Sequence, residues 1–422
     1  MKGFISVVVW ALATVAIAEN YTAGAASIVV TPPAGTLLAG YGRDRLSSGM
    51  HDELFAKAVV IHDGLQGLAI VTVDCIGLTR PDILMIQKTV SRLIPDIDAN
   101  AVIISSTHTH AGPDVVGLWG KNLWSNGRDE SYMSNLRRKI VEVIVTADDK
   151  SVAVTSQVAA TNVIFNWVEN RSEPGLLDSV MSVVQFVDMN GIVIATLTNY
   201  ACHPTVLGGD NTFVSADYLS GFYRTMSTAL PGEHLFLQGA IGGWVQPLQG
   251  DRSIELARNL GSQLGEKSIQ LLKDAVPNPF YPIRLRHQEF DIDVENWRFR
   301  LMMWLGVLNR ETYDGAMRTE SVWFQIGKTE FVTHPGETSP AYSIASRKLM
   351  TSEYGFVLGL SQDAIGYILK PEYFSDEVSF PHGEYLRTVS VGRNAGPTLL
   401  DVLGKIVPSK SGGDVSKKVE ID

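Results

Sequence analysis

Residues 101–114 read AVIISSTHTHAGPD, and the fold turns on how that run is divided. The first four residues are short, apolar and mostly β-branched, as a fully buried strand is. Ser105 onward is the exit of that strand, and Gly112 with Pro113 opens a loop. In extended backbone residues i and i+2 face one side, so His108 and His110 are expected to point together. The carboxyl edge of an α/β sheet is where such side chains meet a ligand. On its own the spacing fits a metal site and a solvated strand end equally well.

Comparable apolar runs recur at 26–30, 56–61, 68–73, 180–186, 192–200, 235–237, 329–332 and 355–358, each bounded by turn residues. Helical periodicity lies between them. Residues 81–93 open with Pro81 and repeat Ile83, Ile86 and Val90; residues 130–146 carry Leu136, Ile140 and Val143. Residues 217–230 follow Ser215 as a cap, 254–272 are long and amphipathic, and 339–350 place Pro340 early in a helix. Strands alternating with helices predict an α/β fold of layered mixed sheets with flanking helices, in a single large domain. Residues 297–310, rich in Met and Trp, read as an amphipathic or core helix, with a lipid-facing lid as the alternative.

The ends and the composition bound the rest. Lys2, an apolar run over 4–15 and Ala16-Ile17-Ala18 form a secretory signal peptide over residues 1–18. The expected product is exported, secreted or periplasmic, with a domain over 19–408 and a polar, disordered tail over 409–422. The 422 residues hold 35 Lys and Arg against 45 Asp and Glu, a net charge of −10. That balance argues against a nucleic-acid partner and against long-range attraction to anionic lipid. Cys75 and Cys202 are the only cysteines, which excludes a disulfide framework. They are either two buried thiols or one bridge.

Two further stretches raise the odds of a metal site. The strand at 192–200 runs into Cys202-His203-Pro204, another histidine at a strand exit before a proline. The strand at 329–332 leads to His334-Pro335-Gly336-Glu337, with Glu337 near a helix start, where negative charge is favoured. Three histidines and a carboxylate at strand-to-loop junctions form a plausible zinc constellation of the catalytic rather than the structural kind. His334 is a competing ligand. His62, His234, His287 and His382 have no comparable context.

In order along the chain stand VTPP at 30–33, LAGYG at 38–42, GMHDELFAKA at 49–58, THTHAGP at 107–113, NYACHP at 199–204, SADY at 215–218, PGE at 335–337 and GYI at 366–368. This ordered series resembles the neutral/alkaline ceramidase family, specifically its N-terminal catalytic domain. The resemblance implies a zinc amidohydrolase, one Zn2+ per chain, that splits the N-acyl amide of ceramide or a related amphiphilic N-acyl lipid. It implies His108, His110, His203 and Glu337 as zinc ligands and Tyr367 as a tyrosine ligand. It implies catalytic roles for His110, Tyr367 and His51, and it makes Arg171 look like a substrate-contacting arginine. Transient contact with a membrane surface is a corollary, and the oligomeric state stays open.

Two departures from the family are visible. Where the family carries a serine-containing loop, residues 238–247 read QGAIGGWVQP. Gly242 survives there, and Trp244 takes a substrate-facing place. The chain also stops where the family's C-terminal immunoglobulin-like domain would begin. The alternatives are therefore a zinc hydrolase of another amide or an ester, and a catalytically inactive binding protein.

Overall fold

A computed structural model describes residues 20–409 apart from 249, 309, 311 and 376–378. The expected signal peptide and the tail from residue 410 lie outside the described residues. Nine strands form the main sheet. Eight of them run in the order Glu233–Gln238, Val193–Tyr200, Val180–Asp188, Val152–Asn162, Tyr21–Val29, Phe55–His62, Gly67–Val73, Val102–Ser106, and Val276–Asn278 pairs with Val152–Asn162. Pairing is antiparallel through the middle and parallel at both edges. A second sheet orders Arg284–Asp293, Ala316–Ile326, Thr329–Thr333 and Gly355–Leu358. One hydrophobic core runs from Tyr21 to Val407, so the α/β class and the single large domain are as expected.

The helices start where side chains satisfy their first amide groups. Ser253 accepts from Leu256 N at the head of Ile254–Leu272, and Asp129 accepts from Ser131 and Tyr132 at Glu130–Asp149. Ser339 caps Pro340–Leu349, as the sequence predicts. The helix Tyr218–Ala229 differs: its cap is Asp217, which also accepts from the Val206 and Leu207 amides. Ser215 instead donates to Asp52 at 2.8 Å. The apolar stretch from 297 is helical only over Trp297–Trp304; it buries Phe299 and Met303 and leaves Trp297 and Trp304 outside.

One feature of the main sheet positions the site. Its two edge strands approach each other although they are seven places apart in the order. Gln238, at the end of one edge, donates through Nε2 to Thr107 O (3.0 Å) beyond the other and to Cys202 O (2.9 Å). Residues 359–362 lie along the same seam. Gly359 N donates to Gln238 O, Ser106 N to Leu360 O, and Gln362 N to Ile104 O. Asn199 ties the second sheet on, donating to Leu237 O and Val357 O and accepting from Val357 N. Three chain segments far apart in sequence thus end at one place.

Candidate metal centre and substrate cavity

The histidine pair converges by a different route from the expected one. The strand stops at Ser106, and His108 adopts φ 71°, the left-handed region that non-glycine residues rarely enter. Its amide donates to Cys75 O at 2.9 Å, which fixes the turn. The rings of His108 and His110 then meet edge to face, 4.8 Å between centroids. Strand alternation does not aim them; a strained turn does, as is common at functional sites.

His108 and His203 are wired alike. Each donates from Nδ1 to a backbone carbonyl, Ile76 O at 2.5 Å and Val245 O at 2.9 Å. That fixes the tautomer and leaves both Nε2 lone pairs facing inward. Both Nε2 atoms lie against one oxygen of Glu337, at 3.4 and 3.1 Å. Two lone-pair donors and a carboxylate at that range repel unless positive charge sits among them. Burial holds the His203 ring below its ordinary pKa despite Glu337, which disfavours supplying that charge by protonation. Burial acts to raise the Glu337 pKa, but the two imidazoles beside it outweigh that effect and hold the carboxyl well below the usual range, so it stands as a carboxylate. The donor set suits a divalent cation with nitrogen and oxygen preference.

His110 is placed differently. Ligand atoms of His108, His110 and His203 all fall within 4.8 Å of one another. Yet both ring nitrogens of His110 are buried without a hydrogen-bond partner. Burial, then the neighbouring rings, hold it well below its ordinary pKa. Gly40, at φ 94°, backs this ring; a Cβ there would lie 2.4 Å from the imidazole.

Glu337 sits in the two-residue strand Glu337–Thr338, ahead of the helix cap, and pairs in register with Tyr367. That pairing turns the Tyr367 phenol towards Glu337 and the Trp244 indole. Burial first, then the Glu337 charge, keeps the phenol pKa well above its ordinary value. Trp244 sits at φ 61° and packs on His382, 4.3 Å between ring centroids, and the Arg171 guanidinium carbon lies 6.0 Å from the Trp244 ring centroid. A short antiparallel pair, Val245–Pro247 with Val168–Asn170, brings Arg171 and Trp244 together.

Two connected spaces meet at this centre. One, of about 750 Å³, is mainly apolar and lined by Ile76, Val116, Phe299, Leu308 and Met317 together with His108, His110 and Tyr367. The other, of about 1040 Å³, is more polar and lined by Arg171, His203, Trp244, Gln246 and Arg252. Tyr385 borders both, its phenol pushed up to about 12 by burial and the Glu337 charge.

Of the residues read from sequence, His108, His110, His203, Glu337, Tyr367, Arg171 and Trp244 come together. His51 lines neither space; its ring stacks on Phe213, 4.8 Å away. Gly242 lines neither space either. Its amide donates to Thr338 O, and a Cβ would lie 2.5 Å from Glu337 O, so its place is to let the tryptophan loop abut the glutamate strand. His334 turns away to Ser346. Cys75 and Cys202 are free and buried. Tyr385 and His382 had no sequence signal, being placed by a loop and a short helix without periodicity. A second group, His287, Glu289 and Glu320, also has metal-like spacing, but Arg80 pairs with Glu289 and lies 4.0 Å from Glu320.

The chain matches the family described as neutral/alkaline non-lysosomal ceramidase, N-terminal, over residues 21–259. It is 27% identical over 221 residues to neutral ceramidase B of Dictyostelium discoideum, covering 47% of this chain and 30% of that protein. It is 26% identical over 195 residues to the neutral ceramidase of Pseudomonas aeruginosa, covering 41% and 28%. The chain spans about a third of the length of the curated relatives it matches. The crystal structure of the Pseudomonas aeruginosa neutral ceramidase shares its fold, with TM-score 0.76 at 16% identity over 95% of this chain and 77% of that one. Glu337 and Tyr367 lie beyond the matched residues, yet the fold brings them to the histidines; this chain belongs to the neutral/alkaline non-lysosomal ceramidase family.

Proposed function

We propose that the chain is a zinc-dependent amidohydrolase that cleaves the N-acyl amide of ceramide or a related N-acyl lipid, releasing a free amine and a fatty acid. The single observation that carries this reading is the inward convergence of His108 Nε2, His203 Nε2 and Glu337 at the inner end of an apolar cavity. These three would hold such an ion, with Tyr367 beside Glu337 to complete the group. A zinc ion there supplies a Lewis acid for the amide carbonyl and brings the pKa of water towards about 7.

The chain's own residues supply the rest. The apolar space takes an alkyl chain, and the polar space, with Arg171 and Gln246, takes the headgroup side. His110 has two free ring nitrogens, and Glu337 reaches the other two imidazoles rather than this one, so the geometry favours a proton-transfer role for it. It accepts a proton from water as oxygen bonds to the carbonyl carbon. It returns that proton to the nitrogen as the C–N bond breaks. Tyr385 stays protonated at neutral pH and donates towards the carbonyl oxygen as charge develops. Trp244 lies in the stretch 238–247 that departs from the family's serine-containing loop, and Arg171 stands beside it, which is why the reading extends to lipids related to ceramide. Export through the apolar segment at residues 1–18 belongs to the same proposal.

The test is amine release from a fluorescent short-chain N-acylsphingosine by the purified protein, with a chelator and with zinc restored, beside the matched ester. Turnover of the amide that the chelator removes and zinc restores is expected. Faster turnover of the ester would move the assignment to an esterase, and no turnover by zinc-loaded protein on either would leave a binding protein.

A further inference from the structure

The apolar cavity is continuous with an open groove on the surface. Trp119, Phe299, Tyr385 and Val389 line both. Outward from them the groove is bordered by Leu123, Trp124, Trp297 and Leu305. These come from two distant segments, 118–128 and 297–305, joined through Asn126 Nδ2 to Gly306 O at 3.4 Å. Trp124 is 66% exposed, Trp297 60% and Trp304 81%. Trp124, Trp297 and Leu123 stand in water at the groove, and Trp304, two helical turns on from Trp297, extends the same helix face; a monomeric protein rarely keeps such an apolar patch without a use.

Charge narrows the use. Segments 118–128 and 297–305 contain no acidic residue, although the chain as a whole carries −10. Lys121, Arg298 and Arg300 are exposed among the tryptophans. Indoles interleaved with cations match a boundary with apolar chains on one side and phosphates on the other. No helix among the described residues is long and apolar enough to cross a membrane, so such a face would lie on a bilayer rather than span it.

We propose that this face docks on the surface of a phospholipid bilayer. Trp124, Trp297 and Trp304 enter the headgroup–acyl boundary, and Lys121, Arg298 and Arg300 meet lipid phosphates. The groove then leads a lipid from the bilayer to the apolar cavity without passage through water. This rests on the lipid-amide reading of the site. The overall negative charge gives no long-range attraction, so apolar insertion carries most of the binding.

Flotation of the full chain with vesicles of phosphatidylcholine and phosphatidylglycerol (4:1), without substrate, tests the docking alone. Wild type is expected to float, with its tryptophan emission shifted to the blue. The triple variant W124A/W297A/W304A is expected to lose at least tenfold in vesicle partition. K121E/R298E/R300E, which keeps the indoles, should lose severalfold. In turnover assays the triple variant should keep its rate on a soluble short-chain amide and lose it on the same headgroup presented in vesicles. Wild type that fails to float, or variants that float as well as it does, would overturn the docking. A face that serves only self-association would show as a Trp124-dependent dimer in sedimentation with no flotation, and that too would overturn it. Since flotation contains no substrate and the soluble assay contains no bilayer, failure of the docking and failure of the chemical reading are separate results.

Discussion

Each of His108, His203 and Glu337 is held by a backbone contact before any ligand arrives. A carbonyl fixes each histidine tautomer, and a strand pairing fixes the glutamate. The geometry is therefore preorganised, and removing one member should cost function far more than stability. His203→Ala is expected to lower kcat/KM by about 10³-fold or more, ~4 kcal/mol of barrier, and to reduce bound zinc. Its urea-unfolding midpoint in the presence of chelator should stay near that of wild type. Metal content by atomic absorption beside kinetics checks both parts; full activity with the metal gone would remove the metal from the mechanism. At this scale the sequence was legible in its chemistry but not in its geometry. His108 and His203 each announce themselves at a strand exit ahead of a glycine or proline, and Glu337 just after a Pro-Gly break. The positive φ of His108 carries no signature, because nothing in THTHAGP says that the histidine rather than the glycine takes the left-handed conformation. Tyr367 became visible only through the family motif.

Elements were legible where both faces are buried. The runs 68–73 and 355–358 appear as strands almost to the residue, since continuous Val, Ile and Leu have few other uses. Strands with one face in water were not. Arg284–Asp293 reads RLRHQEFDID, its alternation masked by charged residues that are largely exposed, and Val152–Asn162 is diluted by Ser, Thr and Gln. The pin between the two sheets is likewise a single polar residue. Asn199 is fully buried and satisfies three backbone groups across the junction. Asn199→Ala should therefore destabilise by about 3 kcal/mol, more than a typical polar deletion, measurable by urea unfolding. His334, behind the Glu337 strand, gives the fold an acid limit. Burial lowers its pKa to about 3, and its Nδ1 has no partner. The unfolded chain binds the proton more readily, so stability is intact above about 6.5 and falls as pH drops, by about 1.4 kcal/mol per unit. Between pH 7 and 5 wild type should lose about 2 kcal/mol more than His334→Gln. Parallel losses in the two proteins would assign the acid limit elsewhere.

At the scale of the molecule, one core joins the two sheets, so the fold has support independent of the proposed metal. Chelation should lower apparent stability by about 4 kcal/mol when zinc had stood at roughly 1,000 times its Kd. It should leave the near-ultraviolet dichroism native. Collapse of that signal on chelation would mean that the ion is a structural staple. The α/β class was readable because strands and helices alternate along the chain. The approach of the two sheet edges was not, since it depends on twist and on contacts such as Gln238 with Thr107, more than a hundred residues apart.

That seam also sets an order in time. The strands that carry His108 and His203 become neighbours only when 102–106, 233–238 and 359–362 have been gathered, and Glu337 arrives with the last of them. Contacts between such remote segments form late, after the local hairpins and helices. A nascent chain thus holds no competent chelate until nearly all of it is folded. An ion taken at this site would be acquired by a finished protein, in whatever compartment folding is completed, and the metal supply of that compartment would decide what the site first receives.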